Sequence, residues 1–229
     1  MTDISSRLTH VQERIRRAEQ EAGRPAESVR LLAVSKTQPA SAIRSAYANG
    51  QRAFGENYLQ EALEKIEQLS DLNLEWHFIG PIQSNKTKAI AQHFDWVHSV
   101  DRERIVSRLG EQRPAELPPL NICLQVNIDA EASKAGVAPS QLPALAAAVA
   151  KQTNLKLRGL MAIPAPKSDF NAQRESFRRL AQLAESLKDE GHLVDTLSMG
   201  MSDDLEAAID AGSTLVRIGS ALFGPRQQK

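Results

Sequence analysis

The chain has one cysteine, Cys123, so it cannot form an internal disulfide. It also has no net charge, because 28 Lys and Arg balance 28 Asp and Glu. That balance removes any overall attraction to phosphate backbones or anionic lipids, so neither nucleic acid nor a membrane is expected as a partner. Apolar residues nowhere run on for the roughly 18 positions that a spanning helix needs. The opening Met1-Thr2-Asp3-Ile4 lacks the basic segment and apolar core of a signal peptide, so a cytoplasmic, reducing location is expected. No strand-like run is followed by Gly-x-Gly-x-x-Gly, which argues against dinucleotide binding. The histidines His10, His77, His93, His98 and His192 show neither helical metal spacing nor a cysteine partner, so no metal is expected.

What the chain does have is a regular alternation of short apolar runs and helical segments. Ile4, Leu8, Val11, Ile15, Ala18 and Ala22 recur three or four residues apart and line one face of an opening helix, which Gly23 and Pro25 end. Eight strand candidates follow: 30–36, 53–57, 75–80, 95–101, 121–128, 155–163, 196–200 and 214–223. Helical patterns fall at 39–49, 58–69, 84–93, 102–109, 139–150, 170–189 and 203–210. A helix between consecutive strands imposes parallel pairing, because each return must cross a sheet face. Eight parallel strands predict a single (β/α)8 barrel over residues 1–229, with the extra N-terminal helix packed outside; a doubly wound open sheet is the rival. The segment 112–120 carries Pro114, Pro118 and Pro119 and reads as a stiff loop.

In such a barrel the functional groups gather at the C-terminal strand ends. The first run, Leu31-Leu32-Ala33-Val34-Ser35-Lys36, closes on a lysine that alternation places with Leu32 and Val34. If that side faces inward, Lys36 is partly desolvated and suited to a Schiff base with an aldehyde; on spacing alone, a solvated strand end is the alternative. After strand seven comes Ser198-Met199-Gly200-Met201-Ser202-Asp203-Asp204, with Ser202 as an N-cap candidate, and strand eight holds Arg217-Ile218-Gly219-Ser220. Loops after strands seven and eight recur as phosphate sites, and the hydroxyls of Ser202 and Ser220 can donate to phosphate oxygens. Asp203 and Asp204 weigh toward an ordinary cap and turn, whereas an arginine within an apolar strand requires a partner. Cys123, between Ile122 and Leu124, reads as a small core residue. Lys86 and Lys88 read as a solvated face. Residues 133–136, on the functional face, could form a lid or a plain loop.

A lysine on strand one, a phosphate cradle and a strand-eight arginine together suit pyridoxal 5′-phosphate. The chain resembles the pyridoxal phosphate homeostasis proteins through Leu32-Ala33-Val34-Ser35-Lys36-Thr37, Phe54-Gly55-Glu56-Asn57-Tyr58, Trp76-His77-Phe78-Ile79-Gly80, Gln83-Ser84-Asn85-Lys86, Gly159-Leu160-Met161, Ser198-Met199-Gly200-Met201-Ser202 and Arg217-Ile218-Gly219. That resemblance implies a barrel similar to the N-terminal domain of alanine racemase, with Lys36 holding the cofactor as an internal aldimine. It further implies that Arg217 faces the pyridine nitrogen, that Ser202, Gly219 and Ser220 bind the phosphate, that Asn57 lies near the ring, and that Met201 is also a cofactor-binding residue. The family often has Thr where Ser220 stands, which keeps the hydroxyl. A monomer is implied, whose partners are the cofactor and apo enzymes that use it.

Two enzyme readings compete with a carrier. A racemase needs an electron sink, which a permanently charged Arg217 weakens, and a second proton donor, a role that neither Tyr47 nor Tyr58 is expected to fill. A cofactor-free aldolase would use Lys36 directly on a sugar-phosphate carbonyl.

Overall fold

The computed structural model of the chain describes residues 3–130 and 134–224. Its strands are β1 (Arg30–Val34), β2 (Ala53–Glu56), β3 (Glu75–Phe78), β4 (Trp96–Val100), β5 (Leu120–Gln125), β6 (Leu155–Met161), β7 (Thr196–Ser198) and β8 (Leu215–Ile218). All are parallel and pair in sequence order, and β8 returns to β1 with Leu32 opposite Arg217. The sheet is therefore a closed (β/α)8 barrel without free edges, and the open-sheet rival is set aside.

Helices wrap the outside as α1 (Ile4–Glu21), α2 (Ala40–Ala48), α3 (Leu59–Gln68), α4 (Thr87–His93), α5 (Glu103–Gln112), α6 (Leu142–Ala150), α7 (Phe170–Asp189), α8 (Leu205–Asp210) and α9 (Ser220–Phe223). Helix α1 starts at Asp3, whose carboxylate accepts from the Ser6 N–H at 2.9 Å. The predicted stripe is the face it buries: Leu8, Val11, Ile15 and Ala18 pack into the core, each large apolar side chain contributing about 1.5 to 3 kcal/mol.

Alternation along the strands divides the core in two. Outward residues such as Ala33, Phe54, Trp76 and Phe78 join the helices in the main apolar layer. Inward residues fill the barrel in small groups, Leu32, Ala53 and Leu215 with Ile79 in one, and Trp96, Cys123 and Met161 in another. Cys123 is fully buried, and burial pushes its thiol up to about 12, so it is the inert core residue expected. The proline-rich loop before β5 is fastened by buried Arg113, which donates to the carbonyls of Pro118, Ala91 and Phe94 at 2.7 to 2.9 Å.

Two sequence expectations are corrected. The run 214–223 is not one strand: β8 stops at Ile218, and Gly219 turns the chain into α9, its carbonyl accepting from the Leu222 and Phe223 N–H groups. Ser202 does not cap α8, because the helix starts two residues later with Asp204 at its N-cap. The possible lid at 133–136 lies partly outside the described residues.

Candidate functional site

Lys36 lies two residues past the end of β1, half-buried and lining the cavity at the C-terminal mouth of the barrel. Its neighbours in the chain are anchored from outside the barrel. Ser35 points toward the helices and is fully buried; its hydroxyl donates to Glu56 at 2.6 Å, and its carbonyl accepts from Lys65 Nζ at 2.8 Å. The same ammonium reaches Glu56 at 2.8 Å and Glu61 at 2.5 Å. Glu61 in turn accepts from the Thr37 N–H at 2.6 Å. Thr37 has φ of 64°, a left-handed conformation that a β-branched residue rarely adopts, so this fastening holds strained backbone beside Lys36. Sequence reasoning missed Glu56 and Lys65. The available signal was a carboxylate ending the otherwise apolar run Ala53-Phe54-Gly55-Glu56.

Arg217 stands on the neighbouring strand β8, opposite Leu32 of β1 and only 5% exposed. One nitrogen, Nη1, donates to the Ser198 carbonyl at 2.5 Å and the Ser198 hydroxyl at 2.8 Å, while Nη2 donates to the Ala162 carbonyl at 3.0 Å. Burial pushes its pKa down to about 10 against the pull of Asp204, which leaves it a cation at neutral pH. The partner that its burial requires is thus a set of neutral acceptors. The sequence flagged Ser198 only as the start of a turn.

Gly200 carries β7 into that turn at φ +97°, where a Cβ would also lie 2.6 Å from the Ala208 methyl. Asp204 folds back so that its carboxylate accepts from the Met201 N–H at 2.6 Å. Burial raises the Asp204 carboxyl, with the Met201 hydrogen bond and Arg217 pulling it down. On the far side Gly80 admits the backbone of Asn57, whose carbonyl oxygen would sit 2.1 Å from a Cβ there. That close approach brings Asn57 to the mouth.

These elements enclose a cavity of about 290 Å³. All seven residues singled out from the sequence, Lys36, Asn57, Met201, Ser202, Arg217, Gly219 and Ser220, line it, although 183 positions separate the first from Gly219 (219 − 36). Gln38 and Ile163 are lining residues that sequence reasoning did not name, and Ile79, quoted only within a motif, lines it as well. The lining offers an amine, a guanidinium, two hydroxyls and apolar walls, which fit a phosphate-bearing aromatic aldehyde, and beside Ser202 it also includes Asp203, a carboxylate that weighs against an anion there. Asn57 Oδ1 is buried without a hydrogen-bond partner among the described residues, as expected of a group that a ligand completes. Lys86 and Lys88 lie exposed, as a solvated face should. No group of three metal-ligating side chains occurs among the described residues, and no described helix is long and apolar enough to cross a membrane.

A family profile described as alanine racemase, N-terminal domain, matches residues 6–227. The chain is 63% identical over 226 residues to the pyridoxal phosphate homeostasis protein of Pseudomonas aeruginosa, covering 99% of this chain and 97% of that one. With the protein of the same description from Escherichia coli it shares 56% over 229 residues, covering 99% and 98%. Among solved structures, PipY of Synechococcus elongatus with PLP bound superposes with a TM-score of 0.83 at 37% identity, over 97% of this chain and 100% of that one. Alanine racemase from E. faecalis matches at 18% identity and TM-score 0.71, over 97% of this chain and 58% of that one, a likeness of fold alone. The closed barrel, the residues gathered at its mouth and the near full-length identity agree: this chain belongs to the alanine racemase N-terminal-domain family and, within it, to the pyridoxal phosphate homeostasis proteins.

Proposed function

We propose that this protein binds pyridoxal 5′-phosphate at the barrel mouth, holds it covalently through Lys36, and serves its homeostasis by buffering or delivering it to apo enzymes rather than by turning over substrate. The observation that carries the reading is the meeting, in one cavity, of Lys36, the buried cation Arg217 and the hydroxyls of Ser202 and Ser220. The relatives described as homeostasis proteins, and the cofactor in the PipY structure, support it.

When bound, the cofactor supplies an aldehyde that condenses with a primary amine and a pyridine ring that can accept electron density. Lys36 would supply that amine, and its Nζ is the group that would hold the aldehyde, with water as the by-product. Anchoring of Ser35 and Thr37 on either side limits where that nitrogen can go, lowering the entropic cost of attachment. Ser202 and Ser220 donate to the phosphate, and Arg217 donates to the ring nitrogen. A guanidinium there keeps that nitrogen unprotonated and the electron sink weak, which favours storage over α-carbon chemistry.

The surroundings of the two tyrosines favour the carrier over the racemase reading. Tyr47 lies on α2 with Arg52 stacked 3.9 Å over its ring, and Tyr58 is 55% exposed at the start of α3.

The deciding experiment is spectroscopic. Purified protein should carry a visible absorption band that borohydride abolishes, with the added mass localised to Lys36, and Lys36→Ala should show neither. Reduction onto a different lysine would overturn the assignment.

A further inference from the structure

Beneath Arg217 a train of polar side chains runs down the barrel interior to its base. The Arg217 Nη1 donates to Ser198 Oγ at 2.8 Å, Ser198 Oγ meets His98 Nδ1 at 2.8 Å, and His98 Nε2 meets His77 Nδ1 at 2.8 Å. His77 Nε2 then meets Glu75 Oε1 at 2.6 Å, where Arg30 also donates at 2.7 Å. Ser198, His98 and His77 are fully buried, and the His77 ring stacks on Trp96 with centroids 5.3 Å apart.

The ends of this train determine its direction. A guanidinium can only donate. Glu75 can only accept, because its contacts with His77 and Arg30 outweigh burial and hold its carboxyl down at about 2. Burial disfavours the charged form of both histidines, so each ring offers one N–H and one lone pair, and Ser198 has one proton to give; a single arrangement then satisfies all of them. Ser198 O–H donates to His98 Nδ1, His98 Nε2–H to His77 Nδ1, and His77 Nε2–H to Glu75.

We infer that Ser198, His98, His77 and Glu75 are positioning residues for Arg217, forming one directed hydrogen-bond train that holds its guanidinium edge at the cavity and ties it to a carboxylate at the barrel base. The inference rests on the reading that Arg217 meets the cofactor's ring nitrogen. The train fixes where that donor sits, and its members touch no reacting atom.

Two measurements test it. In the cofactor-free protein, nitrogen-resolved NMR of the histidine rings should show His77 and His98 both neutral and protonated on Nε2 at neutral pH; an Nδ1–H tautomer or an imidazolium at either position overturns the train. The second compares pyridoxal 5′-phosphate with its analogue carrying carbon in place of the ring nitrogen. Ser198→Ala, which leaves both carbonyl partners of Arg217 in place, should weaken binding of the natural cofactor about fivefold to tenfold and shift its absorption band, yet leave the analogue's affinity as in the parent. Ser198→Thr, which restores the hydroxyl, should return the parent values. Equal weakening of both ligands by Ser198→Ala would overturn the positioning role. If Arg217→Lys also fails to distinguish the two ligands while the NMR tautomers stand, the ring-nitrogen reading is what has failed.

Discussion

Replacing Lys65 by methionine tests how the helix layer holds the site. Lys65 is only 5% exposed and its ammonium is shared by Glu56, Glu61 and the Ser35 carbonyl, so methionine keeps much of the stem's volume and removes the charge. Glu56 is then left fully buried with Ser35 as its remaining partner. Removing one member of a buried pair costs about 3 to 5 kcal/mol, a large share of the roughly 5 to 15 kcal/mol that holds a domain folded. Burial already raises the Glu56 carboxyl, with Lys65 pulling it down, and Oε2 has no hydrogen-bond partner among the described residues. Without Lys65 the carboxyl should rise further and take up a proton on folding. The sign follows from linkage: the unfolded carboxylate ionises near 4.3 and the folded one well above, so the variant's stability should fall as pH rises from about 5 to 8. Urea unfolding monitored at both pH values reads this directly, with a midpoint loss of about 1 to 2 M at the higher pH. Lys65→Met combined with Glu56→Gln should recover most of it. The strained Thr37 peptide would also be loosened, so borohydride labelling of Lys36 should slow in the single variant. A midpoint unchanged from the parent, or a loss independent of pH, would refute the argument.

Further outcomes follow from other parts of the molecule. Ser202→Ala or Ser220→Ala should weaken pyridoxal phosphate binding about tenfold or more, as titration will show, and leave binding of pyridoxal without phosphate unaffected. Loaded protein incubated with L-alanine in deuterated water should exchange the α-proton slowly and form little D-alanine; NMR showing rapid exchange would restore the racemase reading. Acid should destabilise the fold before its carboxylates titrate. The buried His77 and His98 are kept neutral, so below the unfolded value near 6.5 each can cost up to about 1.4 kcal/mol per pH unit, while Glu75 keeps its contribution until pH falls below about 4.5 toward 2. Urea midpoints at pH 7, 6 and 5 should decline in the parent and decline less in His98→Gln.

The barrel was legible because its signal is local. Each βα unit announces itself by periodicity, and eight of them leave few architectures. Lys36 and Arg217 were legible for a related reason, since a charge inside an apolar strand stands out without knowledge of its neighbours. Strand and helix ends were less so: Gly219 looks like the continuation of an apolar run until the turn into α9 is seen. The interior train escaped altogether. His77 and His98 are 21 positions apart and Ser198 a further 100 along, so only barrel register joins them. Weighed singly as metal ligands, the histidines carried no sign of one another. The polar alternation of Glu75 with His77 was the one hint that this face of β3 is not ordinary core.

The parallel stack of Trp96 on His77 gives the molecule an internal light source. Trp96 is 3% exposed inside the barrel, whereas Trp76, the next-strand neighbour on β3, faces the helix layer against Phe54. The two indoles therefore sample opposite sides of one sheet. On the proposed function a chromophore at the mouth would lie on the same inner side of the sheet as Trp96, so loading and release should be read as quenching and recovery of its emission. Trp96→Phe would leave Trp76 to report the outer layer alone, separating events at the mouth from loosening of the helices around it.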